Sequence, residues 1–185
     1  DRIDLNYDCT IDLEEAINTI SDRAVRSVKK GNNLIILSDK QINKGKLVIP
    51  APMALGAVHH KLISEGLRCD TNIIVETGSA RNPHHFAVLI GYGATAIYPY
   101  LAFEIIRELS ERKANLSSVY GGSVSNYVKG INKGLLKIMS KMGISCIPSY
   151  RGAQLFELVG LDSNIVDMCF KAVSYTHLTL PTTEY

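Results

Sequence analysis

The sequence predicts an α/β protein whose parallel βαβ units form an open sheet or part of a (β/α) barrel. Short β-branched runs alternate with segments of helical periodicity three times in succession. The runs LIIL and NIIV each end in polar residues, as strands covered by crossover helices do. These units are too few to close an eight-stranded barrel. We therefore expect a doubly wound layer, or a partial barrel that other polypeptide completes.

The first half of the chain predicts two helices and two strands. Asp12 and Glu15 form an aspartate version of a capping box, and an apolar stripe follows until Gly31 ends the helix. NLIILSD is the first strand, with both faces expected to be buried. After the basic loop QINKGK, the segment PAPMALGAVHHKLISEG predicts a helix, and TNIIVETG repeats the strand pattern.

The second half continues the alternation and then becomes helical. Asn82 caps a helix with Pro83 at its first position, ATAIY is a third strand, and Pro99 opens the next helix. The Ser/Gly stretch NLSSVYGGS is predicted to separate that helix from the longest one. ISCIPSYRGAQLFELVGL adds a short extended piece and a short helix. The apolar stripe of the longest helix is predicted to be Val124, Val128, Ile131, Leu135, Ile138 and Met142.

The longest helix also carries two repeated features at a spacing of four. Gly130 and Gly134 leave a smooth groove that predicts close packing with another element. A lysine row could in principle grip phosphates, but it lies opposite the apolar stripe and lacks interleaved aromatic residues, so we interpret it as a solvated face. The row consists of Lys129, Lys133, Lys137 and Lys141.

Composition narrows the class of protein further. At 185 residues, with 46% hydrophobic and 21% charged residues, the chain suits one globular domain. A net charge of +2 gives no reason to expect a nucleic acid or an anionic membrane as partner. The apolar runs are too short to span a bilayer, and DRIDLNYD lacks the character of a secretory signal, so we expect a cytosolic protein without a membrane role.

Metal binding is not predicted. Cys9, Cys69, Cys146 and Cys169 lie far apart, and we interpret them as buried free thiols. Adjacent histidines on a helix point about 100° apart, so neither HH pair can place both rings on one ion. One histidine from each pair together with Glu76 is a conceivable site. We favour helix-start histidines that hydrogen-bond to strand-end groups, and the pairs are His59/His60 and His84/His85.

A candidate rim lies at the carboxyl ends of the predicted strands, where ligands usually bind in such sheets. Its polar residues are Ser38, Asp39, Glu76, Thr77 and Tyr98.

Two arginines are candidate anion ligands. The segments SARNPHH and SYRGAQ offer backbone amides and the side chains of Arg81 and Arg151 to a phosphate or a carboxylate. Neither segment is a GxGxxG or Walker loop, and GxSxG and HExxH are absent from the sequence. From the residues alone, the chain is a scaffold without identifiable chemistry.

A resemblance to a known family indicates a function, which the residues alone do not. From about Leu5 to Phe170 the chain resembles the central domain of the glutamate synthase large subunit. The motifs that carry the resemblance occur in family order and are specific only together. They are GAVHH, VETG, HHFA, GYGA, YP, NKGLLK, KMGIS and YRGAQ.

The resemblance implies a multidomain flavoprotein that makes glutamate from glutamine and 2-oxoglutarate. An amidotransferase domain would release ammonia, which would travel through a tunnel to an FMN barrel supplied by an iron–sulfur cluster. The central domain would contact both domains and resemble a reduced FMN barrel. FMN and the cluster are thus implied for the parent enzyme and not for this region. The compartment would be cytoplasmic, or a plastid in a photosynthetic eukaryote.

The resemblance transfers no catalytic residue to this chain. Asp1 stands first instead of the family's nucleophilic cysteine, Cys9 lies in an internal acidic stretch, and the clustered cysteines are missing. We assign residues 1–171 to the central domain. Residues 172–185, which include SYTHLTLPTTEY, resemble nothing in the family, and we expect them to be non-native or disordered.

Three hypotheses follow. The first is a non-catalytic connector that contributes to the ammonia path and to domain docking. The second is a free-standing module that binds an anionic metabolite or a flavin phosphate through Arg81 or Arg151. The third is a purely structural interface.

Overall fold

A computed structural model describes residues 1–113, 119–153 and 155–170. The predicted tail at 172–185 lies outside these residues. The strands are β1 (Arg2–Asp4), β2 (Asn6–Asp8), β3 (Leu34–Ser38), β4 (Lys46–Val48), β5 (Asn72–Glu76) and β6 (Ala96–Tyr98). The helices are α1 (Leu13–Lys29), α2 (Ala51–Ser64), α3 (Pro83–Gly91), α4 (Tyr100–Lys113), α5 (Val119–Lys141), α6 (Ile147–Tyr150) and α7 (Ser163–Cys169), with a 3₁₀ turn at Arg68–Asp70.

The main sheet is parallel and has the strand order β1-β3-β5-β6. From β1 to β6, each strand pairs with the strand of this sheet that precedes it along the chain, so the sheet grows at one edge only. This order confirms the α/β class and the parallel units. Among the described strands the order does not reverse and no barrel is closed. The sheet is open, as an incomplete barrel would be.

A second, two-stranded antiparallel sheet pairs β2 with β4. It follows β1 directly, and the backbone of Ile49 donates to the carbonyl of Leu5 at 2.9 Å. The sequence did not predict β1, β2 or β4. Each has three residues of mixed polarity, which is too short a run for a period-two pattern to be recognised.

The two faces of the main sheet differ in burial. Ile3, Leu37 and Val75 are aligned across β1, β3 and β5 and are fully buried beneath the helices. On the opposite face, Ile36 and Ile74 are only half-buried. The expectation that both faces of these strands are buried is therefore wrong for one face.

Asp12 and Asn82 cap their helices as predicted, although the hydrogen bonds of Asp12 among the described residues do not include the Glu15 partner of the expected capping box. The Asp12 side chain accepts from the backbone of Glu14 at 3.2 Å. The Asn82 side chain accepts from the backbones of His84 and His85 at 3.0 and 3.2 Å, with Pro83 in the first turn of α3. These bonds satisfy amide groups that a helix start otherwise leaves without partners. The bonds of Asn82 also determine the residue at which α3 begins.

The long helix α5 departs from its prediction in two ways. It begins at Val119, so part of the predicted linker NLSSVYGGS is helical. Its buried face is also rotated, because Val128 and Met142 are 40% and 42% exposed. The prediction is confirmed for Ile131, which is buried, and for Leu135 and Ile138, which pack against the core, and it is wrong for Val128 and Met142. Packing against α3 buries Met139, which was not predicted.

The two glycines of α5 prove different. A Cβ atom on Gly134 would lie 2.4 Å from Cγ of Pro83, so α3 approaches too closely for any side chain there. A Cβ on Gly130 would meet nothing within 4 Å. The packing interpretation is thus confirmed for Gly134 and wrong for Gly130. Over the described part of the chain, no helix is long and apolar enough to cross a membrane.

Candidate functional site

The structure places the predicted rim residues at the carboxyl ends of three neighbouring strands. Ser38 is aligned with Glu76, and Glu76 is aligned with Tyr98. These three side chains therefore point to the half-buried face of the sheet. Asp39 and Thr77 follow their strands and lie at the edge.

Glu76 is surrounded by groups that compensate its charge. Arg2 forms an ion pair with it, and the Ser38 hydroxyl donates to the same carboxylate oxygen at 2.6 Å. The Arg2 guanidinium also donates to Ser38 Oγ at 2.9 Å. Because the Glu76 side chain is only 13% exposed, the carboxylate depends on these donors in place of water.

Asp39 is the centre of a second network at the same edge. Thr77 Oγ1 donates to Asp39 Oδ2 at 2.5 Å, and the backbone of Gly78 donates to Oδ1 at 3.0 Å. Tyr100 also hydrogen-bonds to Asp39. Burial, followed by this bond and the Asp39 charge, raises the pKa of Tyr100 to about 12. The phenol therefore stays protonated and serves as a donor at neutral pH.

Tyr98 takes little part in these networks. Its ring lies 5.6 Å from that of Phe103, centroid to centroid, and its carbonyl accepts from the backbone of Thr77 at 3.1 Å. The residue is 44% exposed. Tyr98 therefore lies on the solvent-exposed side of the rim.

The two histidine pairs lie at opposite ends of the layer. His85 stands at the start of α3, where its Nδ1 accepts from the backbone of Arg81 at 3.2 Å, as expected for a histidine that braces a helix start. His59 lies near the end of α2, where Nδ1 accepts from Arg68 Nε at 2.9 Å, so the helix-start expectation is wrong for this pair. One ion cannot reach both pairs and Glu76. Within residues 1–113, 119–153 and 155–170, no group of three or more His, Cys, Asp or Glu side chains could hold a metal.

Arg68 connects three elements at the amino-terminal edge of the sheet. Besides His59, it donates to the carbonyls of Thr71 at 2.7 Å and Gly93 at 2.9 Å. Thr71 directly precedes β5, and Gly93 lies three residues before β6. Burial lowers the pKa of the His59 imidazole to about 4, and the charge of Arg68 adds to this effect.

The two arginines predicted as anion ligands are far apart in the fold. Arg81 is exposed at the carboxyl edge, next to the start of α3. Arg151 lies at the amino edge, where its charge acts on both His59 and Arg68. The Arg151 Nε atom is buried and has no hydrogen-bond partner among the described residues. The two arginines are therefore not alternative ligands for one anion.

The cysteines follow the prediction in part. Cys169 is buried against α2, and burial raises the pKa of its thiol to about 12. Its carbonyl lies 1.9 Å from where a Cβ atom on Gly56 would be, so α7 and α2 are in backbone contact. Cys9, Cys69 and Cys146 are exposed, and the prediction that they are buried is wrong.

An apolar groove of about 250 Å³ lies between α3, β6, α4 and α5. Phe86, Ile97 and Tyr127 are among its lining residues. On another face of α4, away from Phe103, which lines the groove, three exposed apolar residues occur at a spacing of four. They are Leu101, Ile105 and Leu109, which are 44%, 44% and 51% exposed.

Sequence reasoning missed the partners that complete each network. Arg2 and Tyr100 lie far from Glu76 and Asp39 along the chain, so only strand pairing brings them together. No sequence motif indicated a role for Arg68. The one available signal was its place between a helix end and a strand, where the guanidinium can reach several carbonyls.

Comparison with known proteins gives a consistent result. Residues 1–162 match the family model described as glutamate synthase central domain. The chain is 46% identical over 164 residues to the glutamate synthase [NADPH] large chain of Bacillus subtilis, covering 88% of this chain and 11% of that protein. It is 44% identical to the ferredoxin-dependent glutamate synthase of Pyropia yezoensis, covering 88% and 11%. It is 38% identical to the glutamate synthase [NADH] of Saccharomyces cerevisiae, covering 94% and 8%.

The chain thus spans about a tenth of the length of the curated relatives it matches. Their names include three different electron donors. Similarity in this region therefore does not indicate which electron donor the parent protein uses.

Proposed function

Because this chain belongs to the glutamate synthase family, in which it is a central domain, we propose that it is a non-catalytic connector of a larger enzyme. The parent converts glutamine and 2-oxoglutarate into two molecules of glutamate. Its amidotransferase and FMN domains lie in the same chain, and FMN and an iron–sulfur cluster belong to those other parts. The compartment is the cytoplasm, or a plastid in a photosynthetic eukaryote.

The observation that carries this proposal is the pairing of both rim carboxylates with donors of the same chain. Glu76 is held by Arg2 and Ser38, and Asp39 is held by Thr77 and the Gly78 amide. A general acid or base needs a free site toward its substrate, and a nucleophile needs an adjacent base. Both carboxylates already accept from donors within the chain, Glu76 through Oε2 and Asp39 through both oxygens, which suits structural support better than catalysis.

The same pairing suits a path for ammonia. A carboxylate without a partner would attract ammonium and retain it, whereas a compensated one presents little net charge. The Ser38 and Thr77 hydroxyls already donate to Glu76 and Asp39. We propose that this rim forms part of the wall of the path, where little water is retained.

Docking is the second part of the proposed role. Leu101, Ile105 and Leu109 form one exposed apolar stripe along α4. Contiguous apolar surface of this kind marks an interface. The relatives are roughly ten times longer than this chain, and we propose that a neighbouring domain of the same parent covers the stripe.

The connector role has a direct test in two parts. The isolated chain, given glutamine, 2-oxoglutarate and a reductant, should form no glutamate, and appreciable formation would overturn the proposal. In the full-length parent, Glu76→Gln should uncouple the two half-reactions. Glutamine hydrolysis should continue while less glutamate forms per glutamine consumed, and added ammonia should restore synthesis.

Lys133→Gln is the matched control, because this lysine lies on the exposed face of α5. It should leave the ratio of glutamate formed to glutamine consumed unchanged. Unaltered coupling in Glu76→Gln would contradict a place for the rim in the ammonia path.

The docking surface is tested on the isolated chain by light scattering. The exposed stripe should cause self-association, and replacing Leu101, Ile105 and Leu109 together by glutamine should reduce it. A monodisperse, stable wild-type monomer would contradict the docking proposal.

One observation favours the second candidate, a module that binds an anionic metabolite or a flavin phosphate. It is the buried Nε of Arg151, which has no partner among the described residues.

A further inference from the structure

The amino-terminal edge of the sheet gathers hydrogen-bond donors around Arg68. A guanidinium has five N–H groups. Arg68 uses one from each nitrogen, to His59, Thr71 and Gly93. The carbonyls of Thr71 and Gly93 belong to the segments that lead into β5 and β6. The Arg68 plane is therefore fixed by the backbone of the sheet, and the second hydrogen of each terminal nitrogen is left for another acceptor.

Arg151 is brought to the same edge by its own backbone. The Gly152 amide donates to the Gly91 carbonyl at 2.9 Å, two residues before the Gly93 carbonyl that Arg68 binds. Tyr150, the residue before it, is 2% exposed and anchors the turn in the core. The position of Arg151 therefore does not depend on its side chain. Its Nε is nevertheless buried and lacks a partner among the described residues.

His59 adds a neutral donor to the two cations. Its Nδ1 accepts from Arg68, so the ring proton of the neutral form is on Nε2. With a pKa of about 4, the ring is neutral at physiological pH.

This arrangement costs stability unless an anion compensates it. Burial lowers the pKa of Arg68, and the charge of Arg151 lowers it further, as expected for like charges held close together. Across the described parts of the chain, no ion pair links either arginine to a carboxylate. A half-buried pair of cations that the backbone holds in place is a feature of oxyanion sites.

We propose that Arg68, Arg151 and His59 form a binding site for the phosphate group of a small molecule. Phosphate fits better than a single carboxylate for two reasons. A phosphate monoester carries a charge of about −1.5 to −2 at pH 7 and three strong acceptor oxygens, which match two guanidinium charges and donors from three side chains. The site lies at the opposite edge from the rim, and it does not depend on the connector role.

The test is titration of the 185-residue chain with inorganic phosphate, glycerol 3-phosphate and acetate at constant ionic strength. The readouts are Tm and the ¹⁵N–¹H signals of the arginine Nε groups. Both phosphates should raise Tm saturably and shift the Arg68 and Arg151 signals, whereas acetate should act more weakly. Tighter binding of glycerol 3-phosphate would identify a metabolite as the ligand, and equal binding would identify free phosphate.

Variants separate this site from general attraction to a basic surface. Arg151→Gln should weaken phosphate binding about tenfold or more, and Arg151→Lys should weaken it less because charge remains while the planar fork is lost. Arg81→Gln, at the opposite edge, should bind as the wild type does. In the absence of phosphate, Arg151→Gln should have a Tm at or above that of the wild type, since one of two like charges is gone.

Three results would overturn the proposal. They are equal loss of binding in Arg81→Gln and Arg151→Gln, an acetate effect as large as that of phosphate, and unsaturable binding. Each would leave the coupling experiment on Glu76 unaffected, so the two proposals fail independently.

Discussion

The two edges of the main sheet use charged residues in opposite ways. At the carboxyl edge, Glu76 and Asp39 are acceptors encircled by donors from four separate segments. At the amino edge, Arg68 and Arg151 are donors near one another without a carboxylate partner among the described residues. The carboxylates of the first edge are thus paired with donors among the described residues, and the cations of the second edge are not paired with a carboxylate there.

This difference shows how a polar cluster is to be interpreted. Burial of a charge is costly unless hydrogen bonds or an opposite charge offset it. A cluster whose members satisfy one another supports the fold and needs no ligand. A cluster of like charges held in place by backbone bonds lacks such an offset, and a bound counter-charge would supply one. The predictions below test whether the two edges differ in this way.

The largest effect is expected at Asp39. Asp39→Ala removes the acceptor of the Thr77 hydroxyl, the Gly78 amide and the Tyr100 hydroxyl, and Asp39 is only 7% exposed. The free energy of unfolding should fall by about 3 kcal/mol in urea titrations, because several buried donors lose their partner. Asp39→Asn, which keeps an acceptor, should lose about half as much. A loss below about 1 kcal/mol for the alanine variant would contradict the completeness of the carboxyl edge.

Arg68→Ala should have the next largest effect. It removes three hydrogen bonds that connect α2 with the segments before β5 and β6. We expect a loss of about 2 kcal/mol, less than the sum of the three bonds because relief of repulsion with Arg151 offsets part of it. Arg112→Ala, on an exposed face of α4, is the control and should change stability by less than about 0.5 kcal/mol. A double variant with Arg151→Gln should show non-additivity if the two cations interact.

Much of the fold was predictable from the sequence. Capping residues such as Asp12 and Asn82 are local signals, since each bonds within three residues of itself. The buried strands β3 and β5 are long enough for their apolar pattern to be recognised. The short strands β1, β2 and β4 were missed because their stability comes from pairing with distant residues.

The site was predictable to a smaller extent for the same reason. Ser38 and Glu76 were identified because strand ends meet at one edge of a parallel sheet. Arg2, Tyr100 and Arg68 were not, because each acts through a contact more than eight residues away along the chain. The rotation of α5 that exposes Val128 likewise depends on where α3 lies. The spacing of apolar residues in the sequence does not indicate where a neighbouring helix lies.

The amino edge also predicts a pH dependence. The pKa of His59 is about 4 in the folded chain, below its ordinary value of 6.5, so the unfolded state binds more protons between these pH values. Stability should therefore fall as pH decreases from 6.5 to 4, by about 2 kcal/mol after allowance for partial exposure of the ring. His59→Asn should remove this slope from urea titrations, and His84→Asn should retain it. An unchanged slope in His59→Asn would show that the imidazole is not buried beside the cations.

The smallest effect distinguishes burial from mere pairing. Arg2 and Arg107 each form an ion pair with a glutamate, but the Glu76 side chain is 13% exposed and that of Glu104 is 49% exposed. Arg2→Gln should cost about 1 kcal/mol, because Ser38 alone then compensates a mostly buried carboxylate. Arg107→Gln should cost less than about 0.5 kcal/mol and should lose even that effect in 1 M salt, which screens exposed pairs. Urea titrations at low and high salt measure both. If the two losses were equal and equally screened, the Arg2–Glu76 pair would be a surface contact, and the carboxyl edge would have no better claim to completeness than any exposed helix.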